Sequence, residues 1–194
     1  LTRSDTQTQG KLVVISGPSG VGKSTICKRV VEELNAFLSV SATTRAQSEL
    51  EQDGRDYIFL SRDEFQNRIR ENGFLEYADV FGNYYGTPKT PVDEALANGR
   101  VVILEIDIQG GLQVKGVRPE TEMIFILPPH KKDLEQRIKG RGRGEDAVAK
   151  QRRLEKAGRE IAAAWQHYDH MVINDNLDHA VKEVIDIIQD TLTG

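Results

Sequence analysis

Lys11-Leu-Val-Val-Ile-Ser-Gly17-Pro-Ser-Gly-Val-Gly22-Lys23-Ser24 is the stretch from which the fold class of this chain can be read. An apolar strand runs into G-x-x-x-x-G-K-S and then into a helix with apolar residues at Ile26, Val30, Val31 and Leu34. The glycines let successive backbone N–H groups curl around phosphate oxygens. The N-terminus of the following helix adds partial positive charge. Lys23 is placed to reach the β- and γ-phosphates, and the Ser24 hydroxyl to ligate Mg²⁺. Gly17, Pro18, Ser19, Gly20, Val21, Gly22, Lys23, Ser24 and Thr25 are therefore the expected nucleoside triphosphate site. The bland alternative, a glycine-rich turn capping a strand, does not account for the full motif with both flanks.

Composition narrows the remaining classes. The chain has 194 residues, enough for one well-cored domain with small insertions. Its net charge of −4 argues against a broad face for nucleic acid polymers, which needs clustered cations. No apolar run has the length of a membrane helix, and no signal-like segment opens the chain. The single cysteine, Cys27, cannot form an internal disulfide and is read as a packing residue. The expectation is a cytoplasmic protein without membrane contact, monomer or homo-oligomer, with residues 1–10 as a flexible tail.

Strand and helix signals alternate, which predicts an α/β fold with a mostly parallel sheet. Strands are expected at Leu12–Ser16, Leu38–Ala42, Asp56–Leu60, Val101–Ile106, Met123–Leu127 and Met171–Ile173. Helices are expected at Lys23–Leu34, from the Ser61-Arg-Asp-Glu64 capping box to Gly73, from Thr90-Pro91 to Gly99, and at Lys131–Lys139, Ala147–Ala164 and Asp178–Leu192. Phe74–Tyr85 with Gly82-Asn83 reads as a hairpin. Two segments break the rhythm: a β-rich insert near residues 43–89 and a Gly/Arg stretch near 137–153. In a phosphotransferase these would be an acceptor-binding unit and a lid that excludes water.

Phosphoryl transfer asks for positioning and for cations around an in-line transition state. Arg137, Arg141, Arg143, Arg152 and Arg153 crowd around glycines and read as lid arginines over the plainer solvated face. Asp107 ends an apolar strand, where an acid serves Mg²⁺ or substrate in preference to a simple cap. Glu76, among apolar and aromatic residues, either faces solvent by strand alternation or accepts donors from a ligand. Arg45, Tyr57, Tyr84 and Tyr85 taken singly are more simply an exposed loop arginine and packing tyrosines. His130, His167, His170 and His179 lack metal-ligand spacing and read as surface or packing residues.

Together these residues resemble the guanylate kinase family. The resemblance covers nearly the whole chain from Lys11, through Gly17–Ser24, Ser39–Arg45, Asp53–Tyr57, Gly73–Glu76, Gly82–Thr87, Leu104–Gly110, Ile126–Pro129 and Val172–Asp175. It implies ATP-dependent, Mg²⁺-assisted phosphorylation of GMP to GDP, with dGMP also accepted. It also implies a P-loop core (about 11–42, 90–136 and 154–194), a GMP-binding insert (about 43–89) and an arginine-bearing lid (about 137–153). By motif, Arg45, Tyr57 and Tyr85 would hold the GMP phosphate, and Ser41, Glu76, Thr87 and Asp107 would read guanine. Lys23, Arg45, Arg137, Arg141 and Arg153 would surround the transferred group. Guanine offers two donors, at N1–H and the exocyclic amine, which carboxylates accept.

Three departures stand out. Ser48 occupies the place of a second phosphate-binding arginine, followed by Glu49-Leu50-Glu51. The lid has an extra glycine–arginine step, so either Arg141 or Arg143 holds the family position. Ala164–Tyr168 is one residue longer. Two rival readings remain: a catalytically silent phosphopeptide-binding relative, against which the intact phosphate loop argues, and a kinase of phosphorylated sugars, against which Glu76, Thr87 and Asp107 argue.

Overall fold

In β1 (Lys11–Ser16) successive side chains point to opposite faces, and both faces are covered. Val13 and Ile15 pack with Ile26 and Val30 of α1 (Lys23–Leu34) and with Val181, Val184 and Ile188 of α6 (Leu177–Thr193). Leu12 and Val14 face the other way, into a cluster with Val92, Val114, Ala164 and Tyr168. That second layer comprises α3 (Lys89–Ala97), α4 (Ile108–Val117) and α5 (Ala147–His167). The computed structural model describes residues 10–130, 132 and 147–193. Residues 1–9 of the tail expected at 1–10, the helix expected at 131–139 apart from residue 132, and most of the lid lie outside the described residues. Gly10 is not a free tail residue, its N–H donating to Leu96 O at 3.2 Å.

The main sheet is parallel throughout, in the order β2-β7-β1-β8-β9. Its other members are β2 (Phe37–Leu38), β7 (Val101–Glu105), β8 (Glu122–Leu127) and β9 (His170–Ile173). The chain steps to one side of β1 with β2 and β7, then to the other with β8 and β9. That reversal opens a crevice at the carboxyl end of β1, where the glycine loop begins.

A second sheet, β4-β3-β6-β5, is built from β3 (Ala42–Thr43), β4 (Ile58–Phe59), β5 (Phe74–Val80) and β6 (Asn83–Pro88). The helix α2 (Arg62–Arg70) covers it. Ser61 and Glu64 close a reciprocal capping box at its start, and Phe65 stacks between Phe74 and Tyr84. The β5–β6 turn places Phe81 and Gly82 at φ 53° and 83°, the left-handed pair that matches hairpin twist.

Three expectations are corrected. The strand expected over Leu38–Ala42 is two strands in two sheets: Ser39 N–H still bonds Ile103 O, and then the chain leaves β7 to pair with β4 and β6. The third helix starts at Lys89 rather than at Thr90-Pro91, because Lys89 N–H is satisfied by Gly73 O across the sheet. Pro91 then falls in the first turn, where its missing N–H costs nothing. Finally, α4 had no counterpart in the pattern reading, since Gly110-Gly111 is a poor helix signal.

Candidate active site

The glycine loop joins β1 to α1 and turns on Gly17, Gly20 and Gly22, at φ 153°, 87° and 107°. Gly22 has a second reason to lack a side chain. A Cβ there would meet Asn174 Nδ2 at 2.5 Å, and that amide braces the loop by donating to Val21 O at 2.8 Å. Lys23 folds back, its ammonium donating to the carbonyls of Gly17 and Pro18. Burial lowers the Lys23 pKa, while Glu105, Glu160 and Asp107 act in the opposite direction. Ser24 Oγ donates to Glu105 Oε1 at 2.6 Å. Glu105 is thus the acid beside the loop hydroxyl, and pattern reading overlooked it in favour of Asp107. The signal was present: Glu105 and Asp107 are two apart at the strand's carboxyl end and share its outlook.

Asp107 caps α4, accepting from Gly110 N–H at 2.9 Å. It also lines a cavity of about 260 Å³ between the two sheets, together with Ser41, Tyr57, Glu76, Tyr85 and Glu105. Thr87, in β6, is buried against Glu76, its Oγ1 donating to Glu76 Oε1 at 2.7 Å. Strict alternation would not bury Leu75 and Glu76 together. A register shift between Phe74 and Glu76 does so, turning the carboxylate inward. Burial pushes the Glu76 pKa up, the Thr87 hydrogen bond opposes this, and Asp107 adds to it. Gly110 leaves room for the carboxylate, since a Cβ there would sit 2.9 Å from Glu76 Oε2.

Arg45 leaves β3 toward Tyr57 and Tyr85, whose rings meet edge to face at 6.0 Å. Its guanidinium lies 5.4 Å from the Tyr57 ring centre and forks onto Glu51, at 2.7 and 3.0 Å. Ser48 N–H also donates to Glu51 Oε2, at 2.9 Å. These donors hold the Glu51 pKa down at about 2. Glu51 was not among the expected site residues, although it lies six residues after Arg45. Arg55, a possible substitute for the arginine missing at Ser48, is engaged by Asp56 at 2.7 Å. Ser48→Arg is expected to give Glu51 a second cation, release part of Arg45's charge to an anion, and lower the KM for a phosphate-bearing acceptor about tenfold. An unchanged or higher KM in steady-state kinetics would argue against this placement of the loop.

On α5, Arg153 Nη2 donates to Ser19 Oγ at 3.0 Å, joining that helix to the glycine loop. Arg137, Arg141 and Arg143 lie outside the described residues. At the far end of α5, Tyr168 OH donates to Ser16 Oγ at 2.6 Å, and Ser16 donates to Ile106 O at 2.8 Å. A larger groove, about 1120 Å³, opens at the amino ends of β1, β7 and β8, the end of the main sheet opposite the glycine loop. Two ion pairs lie along it, Lys11 with Glu122 and Arg118 with Asp93, and it contains none of the expected site residues. Cys27 is buried in the core as expected, and burial pushes its thiol pKa up.

The family model for guanylate kinase matches residues 9–191. The guanylate kinase of Clostridium acetobutylicum is 52% identical over 180 residues, covering 93% of this chain and 85% of that relative. That of Synechocystis sp. is 46% identical over 185 residues, covering 94% and 95%. The crystal structure of guanylate kinase from Anaplasma phagocytophilum superposes with a TM-score of 0.78 at 29% identity, covering 96% of this chain and 88% of that one.

Proposed function

Because the chain belongs to the guanylate kinase family, we propose that the crevice between its two sheets brings two nucleotides together end to end. The reaction is ATP + GMP = ADP + GDP. The observation that carries the site assignment is the inward-turned, buried Glu76, bonded to Thr87 in a cavity that it lines with Asp107 and with Glu105, the partner of Ser24.

On this reading residues 43–89 form the GMP-binding unit, residues 137–153 the lid, and the parallel sheet with its helices the core. The loop N–H groups from Gly17 to Thr25 hold the ATP phosphates, and Lys23 leaves its two carbonyls for the β- and γ-oxygens. Ser24 and Glu105 offer hard oxygen donors side by side, which suits Mg²⁺ completed by phosphate oxygens and water. When bound, the ion neutralises charge on the β- and γ-oxygens.

Guanine lies against Glu76, Thr87, Ser41 and Asp107, and the GMP phosphate against Arg45, Tyr57 and Tyr85. That phosphate is mostly dianionic at neutral pH, its second pKa being ~6, so no general base is needed. One of its oxygens attacks the γ-phosphorus in line as the bond to the β-phosphate oxygen breaks. Lys23, Arg153 and the lid arginines meet the charge that moves to the equatorial and leaving oxygens. No helix among the described residues is long and apolar enough to cross a membrane, and a cytoplasmic location fits the chemistry.

A coupled ADP-release assay with ATP and GMP, AMP, CMP, UMP or ribose phosphates tests the assignment. Strong turnover with GMP, weaker with dGMP, supports it. Comparable turnover with AMP, or turnover confined to a ribose phosphate, overturns the guanine site.

A further inference from the structure

One face of α5 repeats at Arg153, Ala157, Glu160 and Ala164, and Tyr168, just past its last residue with its N–H bonded to Ala164 O, continues the same helical stripe. The two ends of that stripe are anchored. Arg153 bonds Ser19 and Tyr168 bonds Ser16, so the stripe runs over the start of the glycine loop. Ala157 and Ala164 are buried and small, which lets the helix lie close. Glu160 falls between the anchors, two turns or about 10–12 Å from each. Between Ser16 and Ser19 lie Gly17 and Pro18, whose carbonyls hold the Lys23 ammonium. The Glu160 side chain is only 14% exposed, and its ion-pair partner Lys156, at 3.6 Å, is an exposed residue one turn back. A carboxylate is costly to bury without a task.

We propose that Glu160 is a positioning residue for phosphoryl transfer, its charge holding the Lys23 ammonium at the mouth of the glycine loop from the α5 side. The other flank is covered by Glu105, which is committed to Ser24. Lys23 and Glu160 each feel the other's charge, in support of this geometry. Burial raises the Glu160 pKa, with Lys156 and Lys23 opposing and Asp107 adding to the rise. A carboxylate at this place repels the triphosphate, so its benefit must come through Lys23 and must appear in kcat.

The inference rests on the assignment of Lys23 to the ATP phosphates. Glu160→Gln, which keeps the shape and removes the charge, is expected to lower kcat about tenfold. It should leave the KM for GMP unchanged, the Tm unchanged or higher, since a neutral amide lifts the cost of burying the charge, and the KM for ATP unchanged or lower. Glu160→Asp should recover part of the loss. In a Lys23→Met background the substitution should have no further effect on kcat, the coupling a double-mutant cycle isolates. Wild-type kcat in Glu160→Gln, a rise in either KM, or an equal loss without Lys23 overturns the proposal. If Lys23→Met itself turned over normally, the Lys23 assignment would fail first. A crippled Lys23→Met beside a normal Glu160→Gln removes only the role of Glu160. Should Glu160→Gln not fold, Glu160→Asp decides: near-wild-type kcat supports the charge, and a tenfold loss without a change in Tm refutes it.

Discussion

Lys23→Met is expected to lower kcat for GMP phosphorylation about a thousandfold, the loss typical of removing a preorganised charge from the reacting oxygens. The ammonium is already at the loop, held by the Gly17 and Pro18 carbonyls, so its transfer to phosphate exchanges one set of acceptors for a charged one. Methionine preserves the length and apolar stem, and the loop remains braced by Asn174 and Arg153. The thermal midpoint should therefore change little while ATP affinity falls. Lys23→Arg should not restore turnover, because a planar fork does not fit where a point charge turns between two carbonyls. Single-turnover measurement of ADP formation, with ATP binding followed by calorimetry, separates chemistry from affinity. A kcat within tenfold of the parent enzyme would remove Lys23 from the reaction.

Local patterns with one physical solution were legible in the sequence. A strand, G-x-x-x-x-G-K-S and an amphipathic helix can hardly be arranged otherwise, and β1, the loop and α1 lie where the pattern placed them. The capping box of α2 was legible for the same reason, since capping selects few residues; the β5–β6 hairpin was legible through Gly82, although its left-handed pair is Phe81–Gly82 and Asn83 already belongs to β6. Contacts made by distant segments were not. Tyr168 reaches Ser16 from 152 positions away, and no spacing announces it; Glu105 reaches Ser24 from 81 away, and its place two before Asp107 marks a second acid at the strand end without naming its partner. The bulge that turns Glu76 inward was hidden too, because alternation alone left both of its faces open. Asp107 had two alternative readings, cap or site acid, and the chain uses it as a cap while it lines the cavity. The helix α4 behind it was missed because two of its three glycines, Gly110 and Gly111, are demanded by packing. A side chain at Gly111 would collide with Tyr168 Oη, and one at Gly110 would crowd Glu76.

Glu76→Gln is expected to separate stability from activity. The folded state raises the Glu76 pKa above its ordinary 4.5, so the folded protein binds that proton more tightly than the unfolded chain does. Its contribution therefore favours folding fully below 4.5 and is lost as pH rises through the raised value, leaving the ionised group a cost at neutral pH. A neutral amide removes that cost. Thr87 Oγ1 can still donate to the remaining carbonyl oxygen, so the fold is kept and the thermal midpoint at neutral pH should rise. Activity should move the other way. The amide N–H₂ would face the guanine N1–H or exocyclic amine, setting donor against donor in a buried place. A loss of about a thousandfold in kcat/KM for GMP follows, because a site built on buried hydrogen bonds tolerates no unpaired group. The KM for ATP should remain near that of the parent. Adenine presents an acceptor at N1, so AMP should lose less than GMP and the preference between them should shrink. Thermal melts from acid to neutral pH, with kinetics for both monophosphates, read the two halves independently. A Glu76→Gln enzyme that phosphorylates GMP within tenfold of the parent would mean that this carboxylate does not read the base. A higher midpoint with lost turnover would mean that the enzyme carries a destabilising ionised group because guanine requires it.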